Sequence, residues 1–267
     1  MRQSKERGAS QDKPAAARGN PAVEGPTGGS HLGFWAGLLT AVLAAAALAL
    51  AVTTPPRSGP YCQSACIGYP YTEAASFVPR DYLWMYPALL APLAFTVLAA
   101  CLHSWTPARW RHLSLTGTCL AAVGAAILVV DYGLQLSVMQ PSLLAGETSG
   151  LSLLSQYNPH GVFIGLENIG YGTIALALIF LGMPLAKSAR KPARAAGWVF
   201  AAGGGVTLLL LAVFAVVYSS TLDYRFEVIA LLLSYLVLAA AGTLLAASFS
   251  PWRVMESAAR VPDGDGP

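Results

Sequence analysis

Six long apolar runs, separated by short polar segments, make up most of the chain. They lie near residues 33–53, 83–104, 113–138, 162–185, 196–218 and 227–248. A helix needs roughly 20 residues to cross a bilayer core, and each run supplies about that length. None alternates apolar and polar positions with the period of two that a membrane-spanning strand requires. In hydrocarbon the backbone N–H and C=O groups have no water to bond, and a helix satisfies them segment by segment. The pattern predicts an all-α fold, a polytopic bundle of six transmembrane helices.

The polar segments set its orientation. Arg2, Lys5, Arg7, Lys13 and Arg18 precede the first run. Arg109 and Arg111 lie between the second and third, Lys187, Arg190, Lys191 and Arg194 between the fourth and fifth, and Arg253 and Arg260 after the sixth. Those thirteen of the sixteen Lys and Arg share one side; only Arg57, Arg80 and Arg225 fall on the other. Lys and Arg stay cytoplasmic, so both termini are expected inside a plasma membrane, with outer loops 54–82, 139–161 and 219–226. Trp35, Trp84, Trp105, Trp110, Trp198 and Trp252 all fall at run ends or in short loops, where an amphipathic ring meets the interface.

Composition agrees. The chain is 55% hydrophobic and 11% charged, with mean hydropathy +0.55. Soluble domains carry about 25% charged residues. The net charge of +3 reflects topology, so membrane lipids are the expected partners and nucleic acid is not. Residues 1–31, rich in Gly, Ala, Pro and charge, are expected to be a disordered cytoplasmic tail, and 249–267 another, flanking a transmembrane domain over 32–248. A cleaved signal peptide over 1–54 is the competing reading. The apolar run is about twice a usual signal-peptide core and follows a long leader, which favours a retained anchor.

The first outer loop, "TPPRSGPYCQSACIGYPYTEAASFVPRDY", carries Cys62 and Cys66. Outside the cell a disulfide is the favoured reading of that spacing, over free thiols or a metal. Cys101 and Cys119 read as small buried thiols. Gly161 and Gly165 form a small-xxx-small pair, and Gly203, Gly204 and Gly205 open the fifth run, so both groups are expected at helix contacts.

Polar residues inside the runs carry the candidate chemistry. "ILVVDYGLQLSVMQ" puts Asp131 roughly 10 Å below the outer end of its helix, and Glu167 of "QYNPHGVFIGLENIGYG" sits at roughly 8 Å, by a rise of 1.5 Å per residue. A charge deep in a helix costs about 2.5–3.5 kcal/mol on insertion scales, so such residues are expected to face the bundle interior or a wet cavity. Facing each other, the two carboxylates would share protons, a route to an acid–base pair or a proton-coupled cation site. Tyr132, Gln135, His160, Asn168 and Tyr171 are placed around them, with Arg80, Asp81, Arg225 and Glu227 at neighbouring outer helix ends, in a polar pocket open to the outside. Polar residues also serve as interhelical glue, the alternative for Glu167 and Asn168. His160 follows Pro159 and has a capping role as its alternative. His160, Glu167 and Asp131 have metal-ligand side chains but no diagnostic spacing. Zinc-protease, nucleophile-elbow and phosphate-loop motifs are absent, and the residues name no cofactor.

The stretches "FVPRDYLWMYPALL" (77–90) and "GLSLLSQYNPHGVFIGLENIGY" (150–171) resemble segments of uncharacterised six-helix bacterial integral membrane proteins, over most of residues 33–248. That group has no established activity. The resemblance implies the fold and marks Arg80, Asp81, Tyr157, Asn158, His160 and Glu167. Three functions stay open: binding or moving a small polar or cationic solute; intramembrane lipid or isoprenoid chemistry with Asp131 and Glu167 as acid and base, by analogy with membrane-embedded polyene cyclases; and a structural or accessory subunit.

Overall fold

A computed structural model describes residues 27–222 and 224–250. The expected tails 1–31 and 249–267 lie largely outside them. The long helices are α1 (Thr27–Val52), α2 (Met85–Trp105), α3 (Arg111–Leu134), α5 (Val162–Leu185), α6 (Lys191–Tyr218) and α7 (Tyr224–Phe249), with a short α4 (Gln140–Leu144). Six helical segments are long and apolar enough to cross a membrane, and the described residues contain no strand. The chain is an all-α bundle.

Local chemistry ends the helices. Past α1, Thr53 and Thr54 turn their hydroxyls back onto Leu50 O, and Pro55 and Pro56 cannot continue the ladder. Pro192 opens α6 in its first turn, where the missing N–H has no partner to lose. Helix α6 therefore starts at Lys191, earlier than the apolar run at 196. The third span differs more. A π-helical turn over Gln135–Met139 joins α3 to α4, so the helical path runs on to Leu144 rather than stopping at 138. Pro141 accounts for it: its ring would crowd the carbonyl one turn earlier, and the wider turn relieves that contact. Asp131 consequently lies further from the helix end than the sequence implied.

The helices form a closed ring in the order α1, α2, α3, α5, α6, α7, and α5 also touches α7 across it. One end carries the basic loops. There Arg190 bonds Ser248 O at 2.9 Å, its guanidinium lies over Trp105, and His103 meets Ser114 at 2.8 Å. At this end too, a Cβ on Gly33 of α1 would strike the Phe249 ring of α7. The other end carries the segments 53–84, 145–161 and 219–222.

Backbones approach closely at glycines other than those expected. A Cβ on Gly242 would stand 2.8 Å from the carbonyl oxygen of Gly37, and one on Gly182 would stand 2.7 Å from that of Gly197. These contacts close α1 on α7 and α5 on α6. Gly204 does pack, against Ala175 O, and Gly203 meets Val237. Gly165 and Gly205 have no neighbour within 4 Å, and Gly161 touches only its own loop, so the Gly161/Gly165 pair is not a helix contact. Spacing fixes a common face and leaves open whether that face meets a helix or lipid. The same reason corrects Cys119: Cys101 is buried, but Cys119 is exposed, on the face of α3 turned away from its neighbours.

Candidate functional site

Three helices bring their polar side chains to one interior region. Asp131 and Tyr132 come from α3, Glu167 and Tyr171 from α5, and Glu227 and Tyr235 from α7. All are buried; Asp131, Glu167 and Glu227 are only 1%, 0% and 6% exposed. Tyr132 donates to Glu167 Oε1 at 2.8 Å and its oxygen also meets the Tyr171 hydroxyl, which stands 3.1 Å from that of Tyr235. Glu167 lies within electrostatic reach of both Glu227 and Asp131. Among the described residues, the ion pairs are Arg57 and Arg80 with Asp81, so no basic side chain of that set pairs with the three buried carboxyls. Oδ2 of Asp131 has no hydrogen-bonding partner, and the carboxyls of Glu167 and Glu227 lie within hydrogen-bonding reach of each other.

A loop assembly caps this region. Ser58 donates to Tyr157 O at 2.6 Å and stands 2.8 Å from the Tyr224 hydroxyl, which donates to Gln156 O at 3.0 Å. Those bonds tie the segment 53–84 to the segment 145–161 and both to α7. Arg57 binds Asp81 at 3.1 Å and lies 4.3 Å over the Phe77 ring. Tyr157 donates to the same Asp81 oxygen, and burial, with Tyr82 and Asp81 adding to it, pushes its phenol far above the usual tyrosine range. Cys62 and Cys66 are joined by a disulfide with a Cα–Cα distance of 5.9 Å.

Between cap and helices lies a cavity of about 350 Å³. Ala51 and Val52 at the end of α1, residues 54–58 and Tyr61 form one wall; Trp84, Gln156, Tyr157, Phe163 and Ile164 form another; Tyr224, Glu227, Val228, Leu231 and Leu232 of α7 complete it. Most of that lining is hydrocarbon or aromatic ring. Glu227 alone of the three clustered carboxylates borders it. Gln156 adds a buried Nε2 with no protein acceptor.

The sequence grouped these residues in a single polar pocket. The structure separates a buried polar cluster from a largely apolar cavity, with Glu227 between them. Asp131, Glu167, Tyr132 and Tyr171 come together, as does Glu227, which the sequence put at a helix end. Gln135 instead binds Leu154 O at 2.6 Å and holds the loop, while the half-buried Asn168 keeps an Oδ1 without a partner. His160 is exposed in the loop, its backbone N–H bonded to the Asn158 side chain at 3.0 Å. Arg80 is exposed and reaches Thr53 O at 3.2 Å, away from the cavity. Among the described residues no group of three His, Cys, Asp or Glu is placed to hold a metal ion, so His160, Glu167 and Asp131 do not form one. Tyr235 was not expected. It sits eight positions after Glu227, two helical turns along the same face, and that period was the available signal.

No protein-family model matches the chain, and no curated protein or solved structure matches it.

Proposed function

We propose that this is a multi-pass plasma-membrane protein, with both termini cytoplasmic, that binds or transports a small cationic solute through a pocket facing outward. One observation carries the reading: the cavity reaches Glu227, the foremost of three buried carboxyls that no Lys or Arg among the described residues neutralises. A buried acid without a basic partner costs free energy unless a proton or a cation answers its charge. The 13-to-3 division of Lys and Arg supports the orientation, since it puts the capped end outside.

Acid–base chemistry by Asp131 and Glu167 on a lipid is less favoured, because neither borders the cavity. The test is cation-dependent accumulation in proteoliposomes, scored for the native protein and for Glu227→Gln. Accumulation that the substitution abolishes, with the melting temperature retained, supports the reading. A panel of inorganic and organic cations that neither accumulates nor shifts the melting temperature of the native protein overturns it.

A further inference from the structure

We propose that the cavity takes an organic ammonium ion with a hydrocarbon body, its nitrogen against Glu227 and its alkyl part along α1 and α7. This deepens the cation reading and rests on it. The proposal stands on the makeup of the wall. Five aromatic side chains, Tyr61, Trp84, Tyr157, Phe163 and Tyr224, border the same space as Glu227. Ring faces attract cations through their quadrupole, and they do so best for weakly hydrated alkylammonium groups that shed water easily. A hydrated metal ion needs oxygen ligands in number, and the Thr54, Ser58, Tyr157 and Tyr224 hydroxyls of the wall are already engaged with protein groups.

The opposite charge on the wall is already answered. Arg57 borders the cavity, but Asp81 holds it at 3.1 Å and Phe77 covers its face at 4.3 Å. Glu227 is 6% exposed, so a ligand bound there exchanges water for carboxylate and ring. The remaining lining includes Ala51, Val52, Val228, Leu231 and Leu232. It offers an alkyl chain the burial that a small hydrophilic cation cannot use. A volume of about 350 Å³ lies within the range of small-molecule sites and leaves room beyond a bare ammonium head.

The experiment is equilibrium binding to the full chain in lipid nanodiscs, using tetramethylammonium and the butyl- and hexyltrimethylammonium ions, with 1-hexanol as the neutral probe. Affinity is expected to rise by up to about fourfold per added methylene until the cavity is filled. Glu227→Gln should weaken every cation tenfold or more, and Leu232→Trp, which fills the cavity, should remove saturable binding while leaving the polar cluster intact. Equal affinity for tetramethylammonium and hexyltrimethylammonium would overturn the hydrocarbon-body claim and leave the cation reading standing. Hexanol binding as tightly as its cationic counterpart, with either residue at 227, would overturn both. If Glu227→Gln does not fold, the chain-length series, the hexanol comparison and Leu232→Trp still decide the outcome. Saturable binding that survives Leu232→Trp would place the ligand elsewhere and refute the site.

Discussion

The Tyr132 hydroxyl on α3 donates a 2.8 Å hydrogen bond to Oε1 of Glu167 on α5, and neither side chain reaches water. This bond ties two neighbouring helices within the bundle. Tyr132→Phe removes the donor and leaves a buried acceptor short of a partner, which costs about 1–3 kcal/mol. Glu167→Gln keeps the shape and still accepts from Tyr132, so its loss of stability should be smaller. Thermal unfolding in one detergent ranks the two. A Glu167→Gln protein less stable than Tyr132→Phe would show that the contact with Glu227 outweighs the bond from Tyr132.

Function should rank them the other way. Glu167 and Asp131 stand behind Glu227 in one electrostatic unit. Glu167→Gln and Asp131→Asn are each expected to suppress cation binding, and the double variant to be no worse than the more damaging single one, because residues acting as a unit are not additive. Full binding by both single variants would leave the cluster as helix glue.

Gly242 and Gly165 make a matched pair for the packing. A Cβ at 242 would meet Gly37 O at 2.8 Å, whereas one at 165 meets nothing within 4 Å. Gly242→Val should destabilise α1 against α7 by about 1–3 kcal/mol through overpacking. Gly165→Ala should be neutral or slightly stabilising, since Ala favours helix over Gly. Equal melting temperatures for the two variants would contradict the close approach of α1 and α7.

Six spans were legible because the bilayer leaves the backbone so few options, and an apolar run long enough to cross reads the same in any order of packing. Asp131 and Glu167 were legible for the converse reason: a carboxylate there is costly enough to need an explanation. Glu227 was harder. It begins the last apolar run, where a charge is cheap, and it is buried between Glu167 of α5 and residues 54–61, which fold back over α7 through Ser58 and Tyr224. That burial depends on a contact between positions 58 and 224, which no local pattern records. The five rings of the cavity wall are scattered from Tyr61 to Tyr224 in the same way. Gly165 and Cys119 failed for a third reason, since spacing cannot say which face meets lipid.

Orientation is tested by labelling. In a background where Cys101 and Cys119 are replaced by Ser or Ala, a cysteine at the exposed Thr148 and another at the exposed Ala189 lie at opposite ends of the bundle. An impermeant thiol reagent applied to intact cells should modify Thr148→Cys and spare Ala189→Cys until the membrane is opened. Labelling of Ala189→Cys alone would invert the topology and turn the cavity to the cytoplasm.

Asp81 provides the last test, because it controls a charge at the cavity wall. It is 1% exposed and receives both Arg57 and Tyr157 on one oxygen. Removing one member of a fully buried ion pair costs about 3–5 kcal/mol. The Arg57 side chain keeps 18% of its surface exposed, and solvent reduces that figure, so Asp81→Asn should cost about 1–3 kcal/mol. The damage should be local: protease cleavage within residues 54–82 should accelerate while the helices stay protected. Arg57 would then be released beside Glu227 and would compete for it, so cation affinity should fall although Glu227 is untouched. Replacing Arg57 by Gln in the same protein removes the competitor. The double variant should bind cations better than Asp81→Asn alone, and a coupling measured this way separates an electrostatic effect from simple loosening of the loop. If the double variant binds no better, Arg57 does not reach the carboxylate, and the fall in affinity reflects disorder in the cap alone.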